Sequence, residues 1–403
     1  MSEYHPLTLE EAIALARTIP DLFPEDARLS CREIGDGNLN LVFHITDPAS
    51  GKSVILKQAL PYAKVVGESW PLTLDRARIE SEALQLQSSF CPDLVPRVYK
   101  YVPELAVTAM EDLSDHIIMR KGLIARNTYP KFAGHIGRFL ARTLFLTSDL
   151  GMNQQEKKLL MKRFVNPELC KITEDLIFDH PYTDADTNNF DEAIRDEAEA
   201  LWRDGDLHRE VARLRHGFLT HAQALLHGDL HTGSIFVTAD STKVIDPEFA
   251  FYGPIGFDIG AVIANLLLNY AAQEGWSPTA DSRARYRAYL LDTIRKLWTV
   301  FETEFRALWN ERSVDRISNA PGFQDEYIGN ILADTTGYAG CKMIRRIVGL
   351  AHVADIDTIP DAAAKEKAQR TALAIGKALI RRHRDVRSID QLIEIAERSG
   401  QGG

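Results

Sequence analysis

The 403-residue sequence predicts an α+β fold in two parts, a small antiparallel β-rich N-terminal lobe over residues 1–113 and a larger, mainly helical C-terminal lobe over 114–403. Two observations predict it. Between Leu29 and Leu113, short runs of β-branched and aromatic residues alternate with glycine and proline turns. Beyond Leu113, apolar residues recur at intervals of three and four, the period of amphipathic helices.

In the first part, Ser30–Ile34, Leu41–Thr46 and Ser53–Gln58 form an antiparallel meander, with a glycine turn before the second strand and a turn at 47–51 before the third. A charged helical segment follows over Leu74–Ser88, then strand-like runs at Val95–Tyr99 and Ala106–Met110. In the second part, helical periods cover Phe132–Leu146, Asp191–Trp202 and Leu207–Leu225. Residues 166–189, dense in Pro, Asp, Thr and Asn, predict an irregular loop or insertion. The run Gly217–Leu226 is helical in character, and the short apolar strands Ile235–Val237 and Val244–Ile245 follow it, joined by a turn at Ala239-Asp240-Ser241.

Composition excludes several classes. A chain with 45% hydrophobic and 26% charged residues buries a large core. The net charge of -10 argues against a nucleic-acid binder, which carries a basic surplus on one face. Four scattered cysteines (Cys31, Cys91, Cys170, Cys341) form no CxxC pair, predicting free thiols in a reducing, cytoplasmic setting. The first twenty residues lack the basic segment and apolar core of an export signal. The longest apolar stretch, Ile259–Leu268, falls short of the roughly 20 residues a bilayer demands, and Asn265 interrupts it, so it is a buried helix rather than a membrane span.

The residues that carry chemistry lie in order along the chain. In Gly35-Asp36-Gly37-Asn38-Leu39-Asn40, two glycines between strands let the backbone turn sharply and approach a polyphosphate closely. One hairpin later, Val54-Ile55-Leu56-Lys57 ends in a lysine whose ammonium can meet the α- and β-phosphates of a nucleotide. A helix carboxylate, either Glu80 or Glu82, fixes that lysine's direction. Glu111, Asp112 and Leu113, after Met110, stand where the two parts join and can offer backbone groups to an adenine edge.

Two acidic stations complete the pattern. Asp229, in His227-Gly228-Asp229-Leu230-His231, is placed to orient an attacking hydroxyl and accept its proton. Asp246 and Glu248, flanking Pro247, are hard oxygen donors suited to Mg²⁺, and on an extended segment they project to the same side. That division of labour is what phosphoryl transfer from ATP requires. His227 and His231 lack a third ligand for a metal and support the loop instead. Asp258 opens the helix that contains Ile259–Leu268 and is assigned to its cap. Trp70, beside Pro71, is a candidate for a closing loop.

The ordered set of glycine turn, strand lysine, helix carboxylate, hinge, HGDxH loop and second acidic station resembles the aminoglycoside phosphotransferase and choline kinase branch of the protein-kinase-like fold. Within that branch, the segments 35–40, 227–234, 246–249, 253–258 and 340–346 resemble the methylthioribose kinase family, a match spanning nearly the whole chain. Ser234 stands where the wider branch usually has a magnesium-binding asparagine, so metal binding is expected to rest on Asp246 and Glu248.

The resemblance implies an ATP- and Mg²⁺-dependent kinase that phosphorylates the anomeric hydroxyl of S-methyl-5-thioribose in L-methionine salvage, acting as a homodimer. It also implies that Asp258 braces the catalytic loop. The arginine pair Arg345-Arg346 is placed at the sugar, and because adjacent helical residues point about 100° apart, one of them, with Arg345 the first choice, faces the site. The alternatives are a related kinase acting on choline, homoserine or an aminoglycoside, and a nucleotide-binding pseudokinase.

Overall fold

The computed structural model describes residues 4–34, 39–63 and 67–400. The chain divides into two compact units, Met1–His116 with Lys243–Ala250, and Ile117–Thr242 with Phe251–Gly403. The first unit thus runs three residues past the boundary expected at 113, and it takes in 243–250, which the sequence placed with the helical part.

In the first unit, five antiparallel strands lie in the spatial order Ser30–Glu33, Asn40–Thr46, Ser53–Ala59, Val107–Met110, Val98–Val102. Strand alternation sends Phe43, Ile45, Val54, Leu56, Val107 and Ala109 to one face, where Ala12 and Ala16 of helix Leu9–Arg17 cover them. Lys57 follows Leu56 and therefore points to the opposite face. The run expected as strand at Val95–Tyr99 begins pairing only at Val98, since Pro96 has no N–H to give a ladder.

In the second unit, helices Phe132–Leu146, Gly256–Trp276, Ala280–Arg312, Phe323–Arg345 and Ala362–Arg382 build the core. Helices Gly256–Trp276 and Phe323–Arg345 approach very closely. A Cβ on Gly260 would stand 2.7 Å from the Thr335 carbonyl oxygen and 2.9 Å from the Ala339 nitrogen, so only glycine permits the crossing. Around it, the rings of Phe178, Phe218, Phe257 and Tyr338 pack edge-on or tilted. Among the described residues no helix is long and apolar enough to cross a membrane.

Three local expectations are corrected. Residues 166–189 are not a loop throughout: Pro167–Phe178 is an α-helix and His180–Tyr182 a 3₁₀ turn. Pro167 sits in the helix's first turn, where its missing N–H costs nothing, so the proline that signalled a break marks a start. The helix expected to run on to Leu225 stops at Thr220, and Ala224–Leu226 is a strand paired antiparallel with Phe251–Gly253. Lastly, Asp246 and Glu248 do not share an extended segment. Asp246 adopts a left-handed backbone (φ 70°) and Pro247–Phe249 forms a 3₁₀ turn, which reorients the two carboxylates.

Candidate active site

Each unit carries a cluster of buried charge. In the first unit, the antiparallel register sets Lys57 opposite Val42 and Thr108. Its ammonium donates to Glu80 at 2.8 Å and also contacts Asp246. Glu80, not Glu82, is therefore the lysine's helix partner; Glu82 pairs with Arg78 at 3.0 Å on the same helix, Asp75–Phe90. Glu248 is buried against Arg76, which is itself fully buried and also donates to Asn40 Oδ1 at 2.8 Å. Burial would raise the Glu248 carboxyl, but Arg76, Lys57 and the Asn40 amide hold it below the usual carboxylate range.

Asp246 and Glu248 fit a hard divalent cation. Both offer carboxylate oxygens, and the Asp246 side chain stays 40% exposed, leaving it open to a ligand that keeps part of its own water shell. Pro247 is buried between them. Gly35 and Gly37 lie outside the described residues, as does the side chain of Trp70.

The connector residues have definite partners. The Glu111 N–H donates to the Arg97 carbonyl at 2.8 Å, and its carboxylate accepts from Lys243 at 3.3 Å. The Asp112 carboxylate accepts from Ser53 at 2.7 Å and lies 2.8 Å from His44 Nε2, so its side chain is spent within its own unit. Leu113 is buried, and its carbonyl accepts from the His116 N–H.

In the second unit, Asp229 is ringed by donors. Lys342 Nζ lies 3.2 Å from Oδ1, an Arg345 nitrogen 3.9 Å from the same oxygen, and His231 Nε2 3.4 Å from Oδ2. Burial would raise the Asp229 carboxyl, yet Lys342, His231 and Arg345 outweigh it and hold the group well below the usual carboxylate range. Burial pulls Lys342 down to about 8 against the attraction of Asp229, and it lies 4.4 Å over the Phe257 ring. His231 falls to about 3, first through burial, and is neutral at working pH. Its tautomer follows from geometry: the Gly233 N–H donates to Nδ1 at 2.9 Å, so the ring proton sits on Nε2, facing Asp229.

The loop itself is braced from behind. The N–H groups of His227 and Gly228 donate to the two oxygens of Asp258 at 2.7 and 3.1 Å. Asp258 lies inside the first turn of helix Gly256–Trp276 and does not cap it; its oxygens serve the loop. His227 Nδ1 accepts from the Asp229 N–H at 3.3 Å, which supports the loop. Ser234 donates to the Asp229 carbonyl at 3.3 Å, which commits its hydroxyl to the loop's own backbone. Arg120 adds a further tie, donating its N–H to the Thr232 carbonyl at 3.1 Å and pairing with buried Asp355 at 3.2 Å.

Both arginines of the pair are buried. Arg345 is the nearer to Asp229, while Arg346 donates to the carbonyls of Ala351 and His352 at 3.3 Å. Sequence patterns missed Lys342, Arg120 and Arg76. Lys342 was visible only as one residue in the run shared with the family, and nothing local marked the other two.

A model described as the phosphotransferase enzyme family matches residues 30–297. Methylthioribose kinase of Geobacillus kaustophilus (strain HTA426) is 56% identical over 380 residues, covering 94% of this chain and 93% of that protein. The protein of the same name from Bacillus pumilus (strain SAFR-032) is 49% identical, covering 99% of this chain and 98% of its own. That of Yersinia enterocolitica (serotype O:8 / biotype 1B, strain NCTC 13174 / 8081) is 47% identical, covering 99% and 100%. A solved glucosamine kinase in complex with glucosamine, ADP and inorganic phosphate shares the fold, with a TM-score of 0.50 at 14% identity over 94% of this chain and 87% of that one. With its small antiparallel sheet, its helical majority and its charged loop around Asp229, the chain belongs to the phosphotransferase enzyme family and, within it, to the methylthioribose kinases.

Proposed function

We propose that this protein transfers the γ-phosphoryl group of ATP to the anomeric hydroxyl of S-methyl-5-thioribose, giving S-methyl-5-thioribose 1-phosphate for L-methionine salvage. The observation that carries the proposal is Asp229, an anion aimed from a braced loop and surrounded by buried cations. Its carboxylate accepts a hydrogen bond from the attacking hydroxyl and finally takes the proton. Lys342, Arg345 and Arg346 offset charge as the phosphoryl group moves.

In the other unit, Lys57 meets the α- and β-phosphates, held by Glu80. Gly35, Gly37 and Asn40 border the triphosphate, and backbone groups of Glu111, Asp112 and Leu113 border the adenine. Asp246 and Glu248, set by Pro247, hold Mg²⁺. The ion when bound neutralises charge on the β- and γ-phosphates.

Charge also bears on the acceptor. Arg120, Lys342, Arg345 and Arg346 oppose three carboxylates, Asp229, Asp258 and Asp355, so four positive groups against three negative ones leave a surplus of one. Such a site repels choline or an aminoglycoside and favours a neutral sugar whose product carries a phosphate. The four cysteines are free thiols, in keeping with a cytoplasmic enzyme. A homodimer is proposed from family likeness alone.

The test is a panel of methylthioribose, choline, homoserine and an aminoglycoside, each with ATP and Mg²⁺, read by ADP release and by phosphorus NMR of the product. Turnover confined to methylthioribose, with a 1-phosphate resonance, is expected. Silence with that sugar beside turnover of an amine overturns the substrate. Nucleotide binding without transfer to any acceptor overturns the enzyme.

A further inference from the structure

Helix Asp75–Phe90 carries two buried ionic residues one turn apart on one face, Arg76 and Glu80. Glu80 takes Lys57, the role expected of a helix carboxylate in this fold. Arg76 has no such expected role, yet it is the more heavily engaged of the two. Its guanidinium is fully buried and reaches four acceptors: the Glu248 carboxylate, the Asn40 side chain at 2.8 Å, the Leu60 carbonyl at 2.9 Å and the Leu39 carbonyl.

Those acceptors come from three separated parts of the chain. Leu39 precedes and Asn40 opens the strand Asn40–Thr46, Leu60 follows the lysine strand, and Glu248 is the inner carboxylate of the acidic station. The two acids of that station differ as a result. Asp246 is part-exposed and held by a flexible lysine, whereas Glu248 is buried and held by a planar fork that is itself pinned to the sheet. A lysine could satisfy Glu248's charge. Only a guanidinium can join one carboxylate to three further oxygens in fixed directions.

We propose, resting on the metal assignment made above, that Arg76 is a positioning residue for the divalent cation. It presents Glu248 in one orientation by tying it to Leu39, Asn40 and Leu60, which stand at the two ends of the hairpin that carries Lys57. Arg76 does not touch the ion. It acts as the outer partner of a ligand, and loss of such partners weakens metal binding by roughly 10- to 100-fold.

The experiment uses the full-length protein with Mn²⁺ as the probe ion and a non-hydrolysable ATP analogue. Bound Mn²⁺ is counted by electron paramagnetic resonance, and metal-free binding of the analogue is measured in parallel by calorimetry. In Arg76→Lys, the Mn²⁺ dissociation constant in the nucleotide complex is expected to rise by about tenfold or more, with metal-free nucleotide binding little changed. Arg76→Met, if folded by circular dichroism, should lose at least as much; if it does not fold, Arg76→Lys decides alone. A merely structural arginine lowers the melting temperature and the folded fraction but leaves the Mn²⁺ affinity of each folded molecule intact. That result in folded Arg76→Lys overturns the proposal. Wild-type protein that gains nothing from Mn²⁺ when binding the analogue overturns the metal assignment itself, a separate outcome.

Discussion

Lys342 and Asp229, 113 residues apart in sequence, stand 3.2 Å from one another, ammonium to carboxylate. The pair sets the charge of both groups. Lys342 helps keep Asp229 an anion, and Asp229 opposes the burial that drives Lys342 toward neutrality. A carboxylate held down in this way stays ionised at working pH and is a weak base, which suits a reaction in which the proton leaves the hydroxyl late.

A pH dependence follows, with its sign fixed by the two shifts. Lys342 is a cation below about 8 and neutral above it, so kcat/KM for the sugar should fall on the alkaline side from about pH 8. Arginine keeps its charge throughout this range, so Lys342→Arg should remove that alkaline limb even if its plateau is lower. On the acid side, Asp229 stays ionised until below the usual carboxylate range, and His231, at about 3, adds no limb near neutrality. An alkaline limb unchanged in Lys342→Arg would show that another group titrates there.

Asp229→Asn keeps the shape of the side chain and loses the proton acceptor. Turnover should fall on the order of 10³-fold, within the range general-base removal produces. Affinity for a non-hydrolysable ATP analogue, measured by calorimetry, should stay near that of the wild type. Near-normal turnover would refute the assigned base.

Lys57 offers a stability test that separates charge pairing from nucleotide binding. Removing one member of a buried pair strands the other, at a cost of about 3–5 kcal/mol. Lys57→Met leaves Glu80 buried without that partner, so urea unfolding should show a larger loss than in Lys57→Met/Glu80→Gln, where Glu80 no longer carries a stranded charge and part-exposed Asp246 loses the lysine equally in both. ATP affinity should fall in both. Equal stability in the two variants would mean that Glu80 does not depend on Lys57.

Gly260→Ala tests the helix crossing behind the loop. The added methyl meets backbone of Thr335 and Ala339, which cannot rotate aside, so overpacking should cost about 1–3 kcal/mol in urea unfolding. Lys342 and Arg345 lie further along the same helix, Phe323–Arg345, so kcat should fall as well. A variant as stable and active as the wild type would show that the helices separate freely.

Much of this was legible locally, because periodicity acts over a few residues. The strands around Lys57 and the helix Phe132–Leu146 follow from alternation and from the three-and-four spacing. The helix Pro167–Phe178 was missed because a proline was weighed as a breaker when it stood at a helix start. Strand Ala224–Leu226 is too short to show a period. The site was legible in its acids and in Lys57, which stand in recognisable runs. Its counter-charges were not: Arg76 meets Glu248 across 172 residues, and no spacing rule connects them. Asp258 looked like a helix cap because the pattern shows its own helix, while the N–H groups it holds lie 30 and 31 residues upstream.

The return of Lys243–Ala250 to the first unit limits how this protein can be dissected or recombined. A fragment ending at His116 would contain Arg76, Lys57 and Glu80 but neither Asp246 nor Glu248, so a buried guanidinium would lose its counter-ion. Domain shuffling at a single crossover would break the same pairs. Chimaeras that exchange acceptor specificity between relatives would need to carry this short excursion along with its N-terminal partners.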